Sequence, residues 1–289
     1  MPVVSLVLLV GLVGSTWTLI FTVGDLLAAA GGDRPFGEAF QAGLDVEGFT
    51  PAAQLVGDLS LAALIPAALL ATWAVHRVRP GFVSGVAGRL RWGWLARCVL
   101  ATLPVFVVYI GLGFVVDPPA AGRPAQWGLL LLLALVVTPF QAAGEEYLFR
   151  GWLVQNVAAW FAQPLTGWVV STVASAALFA LVHGSLDPWI LLDIGGLAVV
   201  ACYLNRRTGG LEAGIALHGV NNVLVGIATT TIGGYEESFV GTDSAGSPVT
   251  LATSLVALGL AALLVLRAAR RSGVQRCYRP AATPAALTG

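Results

Sequence analysis

Six polar side chains stand in apolar surroundings where each needs a reason to be: Glu145, Glu146, Arg150, His183, His218 and Asn222. Glu145 and Glu146 are neighbours, so on a helix they point about 100° apart and can hold different jobs. Glu146 and Arg150 are four residues apart and can pair on one face. That pairing neutralises one carboxylate and leaves Glu145, on the adjacent face, free for general acid or base work. His183 follows Phe179 by one helical turn, and His218 shares a face with Asn222 at the same spacing. Peptide hydrolysis needs an activated water, a group to stabilise the tetrahedral oxyanion, and a proton for the leaving amine. Glu145 near His183 can supply the first and third, and His218 with Asn222 the second. No serine or cysteine nucleophile is required. Blander roles are open to each: Glu145, Glu146 and Arg150 as a helix end in the headgroup region, His183 as an interfacial residue, His218 and Asn222 as glue between helices. The third histidine, His76, sits beside Arg77 and reads as surface.

The elements that must position these groups follow from composition. Of 289 residues, 57% are hydrophobic and 10% charged. An ordinary soluble domain has about 25% charged residues, and this chain could not cover a water-facing surface. That excludes a soluble enzyme, a disordered chain and a nucleic-acid binder. Fifteen basic and fifteen acidic residues give no net charge, hence no global field for a phosphate backbone. An all-α, polytopic membrane bundle remains, with its active site within the bundle. About 20 apolar residues cross a bilayer as a helix, and eight stretches qualify: 3–23, 55–76, 95–116, 126–149, 166–185, 187–204, 211–231 and 250–268. The first is read as a retained helix rather than a cleaved signal, although Ala28-Ala29-Ala30 resembles a cleavage site. Cys98, Cys202 and Cys277 form no CxxC pair and read as small core residues.

The connectors differ in sign. Residues 24–58 and 232–249 are acidic, whereas 77–97, 205–210 and the tail carry nearly all the arginines. The positive-inside rule puts the latter three in the cytoplasm, and eight spans then leave both termini there; the expected location is the cytoplasmic membrane of a bacterium. Segment 82–95, with Trp92 and Trp94 among arginines, reads as an interfacial stretch or a short solvated loop. The chain divides into N-terminal helices with a basic loop (1–124), a core (125–232), a last loop and helix (233–271) and a disordered tail (272–289). No repeat is evident.

Glu145-Glu146-x-x-x-Arg150, Phe179-x-x-x-His183 and His218-x-x-x-Asn222 resemble, in order and type, the three motifs of the CAAX protease and bacteriocin-processing (CPBP, or Abi) intramembrane proteases. The resemblance covers about residues 125–230, and Phe149-Arg150-Gly151 and Arg207-Thr208-Gly209 share it. It implies an endopeptidase acting inside the bilayer on a membrane-embedded, prenylated or amphipathic peptide. Eukaryotic members trim CAAX tails; bacterial relatives are linked to bacteriocin immunity and peptide maturation. By this resemblance Glu145 is the base, His183 helps hold the water, His218 and Asn222 contact the oxyanion, and Glu146 and Arg150 support the site. The family also leaves a metal variant open. Glu145, His183 and His218 would give zinc three ligands and an open position, but no H-E-x-x-H helix is present. No cofactor is favoured, with Zn2+ the close alternative. The implied partners are membrane lipid and the peptide substrate, with oligomeric state left open. A transporter using the same residues as a proton or substrate path, or a non-catalytic immunity or scaffold protein, are the rival readings.

Depth sets one difficulty. Alternate threading puts Glu145 near the cytoplasmic end of the fourth span and His183 near the far side of the fifth. The offset is on the order of 10–20 Å.

Overall fold

The computed structural model describes residues 3–4, 6–15, 17–18 and 50–278. Eight helices make up these residues: α1 (Leu6–Ser15), α2 (Pro51–His76), α3 (Trp92–Val116), α4 (Trp127–Ala158), α5 (Pro164–Leu181), α6 (Pro188–Thr208), α7 (Glu212–Thr231) and α8 (Pro248–Ser272). Seven of them, α2 to α8, are long and apolar enough to cross a membrane. No strand forms among the described residues; two isolated bridges, Gly85 with Gly210 and Gly122 with Gly233, join connectors. The protein is an integral, multi-pass helical bundle. Of the first expected span, residues 6–15 are helical, and Trp17 Nε1 donates to the Ser60 carbonyl of α2 at 3.0 Å. Most of the acidic 24–58 connector lies outside the described residues.

Three helices begin with the same chemistry. Thr50, Asp187 and Ser247 each accept backbone N–H bonds from the first turn, and each is followed by proline. A capping oxygen fills one orphan donor, and proline at the first position gives up an N–H the helix cannot use. All three starts lie at one end of the bundle, where connectors 117–126 and 232–247 also meet: Gly234 N–H donates to Ala121 and Ser185 Oγ to Ser244.

The arginine-rich connectors gather at the opposite end. Arg91 holds Glu212 through both Nε and Nη2, at 2.8 and 2.7 Å. Its Nη1 donates to the Gln275 carbonyl and its Nη2 also to Thr208. One side chain thus ties the 77–91 segment, the end of α6, the start of α7 and the tail. Of segment 82–95, expected to be an interfacial stretch or a short solvated loop, residues 82–91 are seated on the bundle by this clamp and the rest begins α3; Trp92 is 71% exposed while Trp94 is buried. Of the tail expected to be loose, Tyr278 packs edge-on against Phe82 at 5.6 Å, and residues 279–289 lie outside the described set. Cys98 and Cys202 are buried, but Cys277 is exposed, because the tail runs over the surface rather than through the core. His76 is half-buried rather than surface, closing the last turn of α2.

α7 is the most enclosed helix, with an unbroken buried run from Leu211 to Val220. The main apolar core surrounds it: Phe106 from α3, Leu204 from α6, Leu217 from α7, Leu258 and Val265 from α8. At about 25 cal/mol per Å² of apolar surface, this core holds α7 fixed as the axis to which the site is attached.

The largest departure from the expected spans is α4. It runs on to Ala158 instead of ending near 149. The cluster at Glu145, Glu146 and Arg150 looked like a helix end, but the charges neutralise one another inside the bundle, so the helix continues through Trp152. Glu145 therefore stands thirteen residues, about 20 Å, before the helix end. His183 comes nineteen residues after α5 begins, about 28 Å along it. The depth offset shrinks to roughly 9 Å along the helix axes.

Candidate active site

Two features of α4 shape the site. Pro139 has no N–H and interrupts the helix at Val137, which restarts at Thr138. Beyond the glutamates, Tyr147–Leu153 widens into a π-helical turn, a distortion frequent at functional sites. Ser175 of α5 donates to the Phe149 carbonyl within that turn at 3.0 Å. Between these distortions α2 crosses at closest range: a Cβ on Gly144 would collide with the Leu61 carbonyl and come within 3.1 Å of the Ala62 Cα. Glycine at 144 lets the α2 backbone sit directly beside Glu145.

Glu146 turns toward α7 and is fully buried. Its Oε1 lies 3.1 Å from Arg150 Nη1 and 3.1 Å from His218 Nδ1. A Cβ on Gly214 would come within 2.6 Å of Glu146 Oε2, so α7 admits this carboxylate only through a glycine. The Arg150 guanidinium stacks over the Phe179 ring, 3.9 Å from its centroid, a cation–π contact strengthened by desolvation.

Glu145 turns the other way and is 6% exposed. Gln141 Nε2 donates to its Oε2 at 2.6 Å, and His218 Nε2 stands 3.5 Å from the same oxygen. Asn222 Nδ2 lies 3.1 Å from His218 Nε2 and donates to Gln141 Oε1 at 3.2 Å. His218 is thus shared: one ring nitrogen faces each glutamate. With Glu146 ionised against Arg150, Nδ1 carries the proton and donates to Glu146. Nε2 then accepts from Asn222, and faces Glu145 as a second acceptor. Two acceptors 3.5 Å apart form a place that receives a proton.

His183 is held otherwise. Its Nδ1 bonds the Phe179 carbonyl at 2.6 Å. A carbonyl only accepts, so Nδ1 bears the hydrogen and neutral Nε2 keeps its lone pair. The Phe179 ring lies 4.8 Å from the His183 ring and 5.5 Å from that of His218, edge-on to both. The structure therefore brings Glu145, Glu146, His218 and Asn222 into one polar set, with Arg150 ion-paired to Glu146, and connects His183 to it through Phe179. Glu145, His183 and His218 are not gathered into a single ligand set: His218 is engaged at both nitrogens and His183 is turned to a backbone carbonyl. Among the described residues no three His, Cys, Asp or Glu side chains are placed to hold a metal ion. In this arrangement these residues do not fit a zinc centre.

Sequence reasoning missed several contributors. Gln141 is one turn before Glu145 and is polar within an apolar span, a signal that was there to be read. Thr138 shares that face, and its Oγ donates at 2.7 Å to Asp58 Oδ2 of α2. Asp58, counted with the acidic connector, is inside the bundle; Gln54 Nε2 also reaches it at 3.4 Å, and Tyr235 donates to Gln54 Oε1. Burial, and then the nearby Asp58, push the Tyr235 phenol up, so it remains a donor. Nothing local in the sequence pairs Asp58 with Thr138.

The fold and site thus define a membrane-embedded bundle with a buried carboxylate–imidazole–amide centre. Residues 126–224, from the start of α4 into α7, match the family described as type II CAAX prenyl endopeptidase Rce1-like. The resemblance read from the three motifs holds over this segment, which contains all three. It is 24% identical over 192 residues to the uncharacterized protein YyaK of Bacillus subtilis (strain 168), across 60% of this chain and 62% of that relative. The match therefore spans less than two thirds of that relative's length. No solved structure matches.

Proposed function

We propose that the protein hydrolyses a peptide bond within the bilayer, using water activated by Glu145. The observation that carries this reading is the meeting of Glu145 Oε2, His218 Nε2 and Asn222 Nδ2 at 3.1–3.5 Å in a buried site, inside the family-matched segment. A water on Glu145 gives it a proton as its oxygen attacks the scissile carbonyl. When the proton is shared onward to His218 Nε2, 3.5 Å from Glu145 Oε2, that nitrogen becomes a donor and frees the Asn222 N–H it had accepted, and both face the oxygen that gains charge, where donors in a buried site count for most. Glu145 then returns the proton to the leaving amine, and the C–N bond breaks. His183, its Nε2 left as an acceptor, orients the water from the neighbouring helix. Glu146 and Arg150 hold His218 in register and touch no reacting atom.

The substrate class in this proposal is a membrane-embedded peptide, prenylated or amphipathic, entering from the lipid. The arginine-rich end faces the cytoplasm by the positive-inside rule, with both termini on that side and a bacterial cytoplasmic membrane as the site of action. The test uses the full chain in proteoliposomes with a quenched-fluorescent farnesylated peptide ending in Cys-aliphatic-aliphatic-X, and with a non-prenylated transmembrane peptide. Cleavage of either, lost in Glu145→Gln while the protein accumulates normally, supports the reading. Cleavage unaffected by that change overturns it, as does ion or solute flux without cleavage.

A further inference from the structure

A cavity of about 410 Å³ opens at the arginine-rich end and reaches in as far as Arg150 of the Glu146–Arg150 pair. Trp168 of α5, Asn205 and Arg206 of α6, and Arg276 of the tail form its polar wall, with Val83 and Val154 on the apolar side. Among the described residues no carboxylate lines it. The arginine-rich segments 77–97, 205–212 and 267–279 hold a single carboxylate, Glu212, and Arg91 occupies both its oxygens. Arg206 and Arg276 are exposed and have no anionic partner among the described residues; Arg206 is stacked on the Trp168 ring at 4.5 Å. Two further donors on this wall, Trp168 Nε1 and Asn205 Nδ2, are buried without an acceptor. A buried N–H left unbonded costs about 1–3 kcal/mol, so an acceptor-rich guest would relieve an existing deficit. The site offers donors and positive charge in excess and asks for a compact anion with several oxygens. Exposed valines on the same helices, Val169, Val170 and Val199, give such a guest an apolar surface beside its anionic end.

We propose that this cavity binds the phosphate headgroup of an anionic phospholipid, with its acyl chains along α5 and α6. Basic pockets between membrane helices are suited to such headgroups. This inference is independent of the peptidase reading, because it concerns neither Glu145 nor His218 and is read by binding alone.

The experiment is native mass spectrometry and thermal-shift measurement on the purified full chain with phosphatidylglycerol, phosphatidylcholine, glycerol phosphate and inorganic phosphate. Phosphatidylglycerol should bind one-to-one and raise Tm, and phosphatidylcholine should not. Arg206→Gln or Arg276→Gln should each weaken phosphatidylglycerol about fivefold, and the pair about thirtyfold. Arg270→Gln with Arg271→Gln, at the same end but off the cavity wall, should change it by less than twofold. Equal losses in the two double variants mean diffuse surface attraction and overturn the proposal. Glycerol phosphate or inorganic phosphate binding as tightly as the lipid overturns the lipid assignment in favour of a soluble phosphate. Displacement of the lipid by a peptide with a free C-terminal carboxylate, but not by its amide, overturns it in favour of a peptide site. Should both arginine variants lose fold, a lipid-dependent change in tryptophan emission that Trp168→Phe removes still decides the case.

Discussion

Two arginine–glutamate pairs, one buried and one partly so, hold this molecule together, and they are built to opposite standards. At the arginine-rich end, Arg91 and Glu212 are saturated: Nε, Nη1 and Nη2 all find acceptors, and the Arg91 backbone N–H adds a further bond to Glu212 at 2.8 Å. In the centre, Arg150 approaches Glu146 at 3.1 Å, yet among the described residues its guanidinium nitrogens have no hydrogen-bonded acceptor and Glu146 Oε2 has no donor. Its charge is spent on the Phe179 face and on the field around His218. A saturated pair has nothing left to offer and acts as a staple. An unsaturated pair in a dry site costs stability and leaves its field directed at its neighbours, the condition expected where chemistry is done.

The comparison breaks most sharply at the residue the central pair serves. Glu145→Gln keeps shape and its bond to Gln141 but cannot take a proton; cleavage of the membrane peptide should fall by about 10⁴-fold, with Tm unchanged. A stable variant with near-full cleavage would remove Glu145 from the mechanism. Next in size is the staple. Arg91→Met leaves Glu212 buried and alone, at a cost of about 3–5 kcal/mol, visible as loss of folded protein in a detergent-solubilised thermal melt. The double change Arg91→Met with Glu212→Leu should recover most of that stability and, with it, cleavage. The matching double change in the centre, Glu146→Leu with Arg150→Met, should recover folding without cleavage. If both double variants behave alike, the distinction between the two pairs fails. Asn222→Ala should lower kcat by about 10²-fold, as expected for a lost oxyanion donor, with little change in KM. Smallest is Thr138→Val: removing the donor to Asp58 should cost about 1 kcal/mol in the melt. A drop in kcat without a drop in Tm would instead place that contact in the site.

The same contrast explains how far the chain could be read as letters. Polar pairs one turn apart, Glu146 with Arg150 and His218 with Asn222, are local and depend only on the helical period. So is the apolar length that makes seven helices cross a membrane. The fourth span was misjudged because charge was taken as a helix end, when pairing let the helix carry it onward. The Asp58–Thr138 and Arg91–Glu212 contacts escaped notice because their partners lie 80 and 121 residues apart.

Residue type and helical spacing therefore laid down which side chains are available and that they face the inside of a membrane bundle. Which nitrogen of His218 meets which glutamate, why His183 is turned to a carbonyl instead of to Glu145, and that Gln141 completes the set, came from packing. Those relations depend on how helices cross: the glycine at 144 against α2, the π turn after Glu146, and α7 clamped at its start by Arg91. A contact between distant parts of a chain is an outcome of all the others being satisfied together, and no local stretch of sequence carries that information.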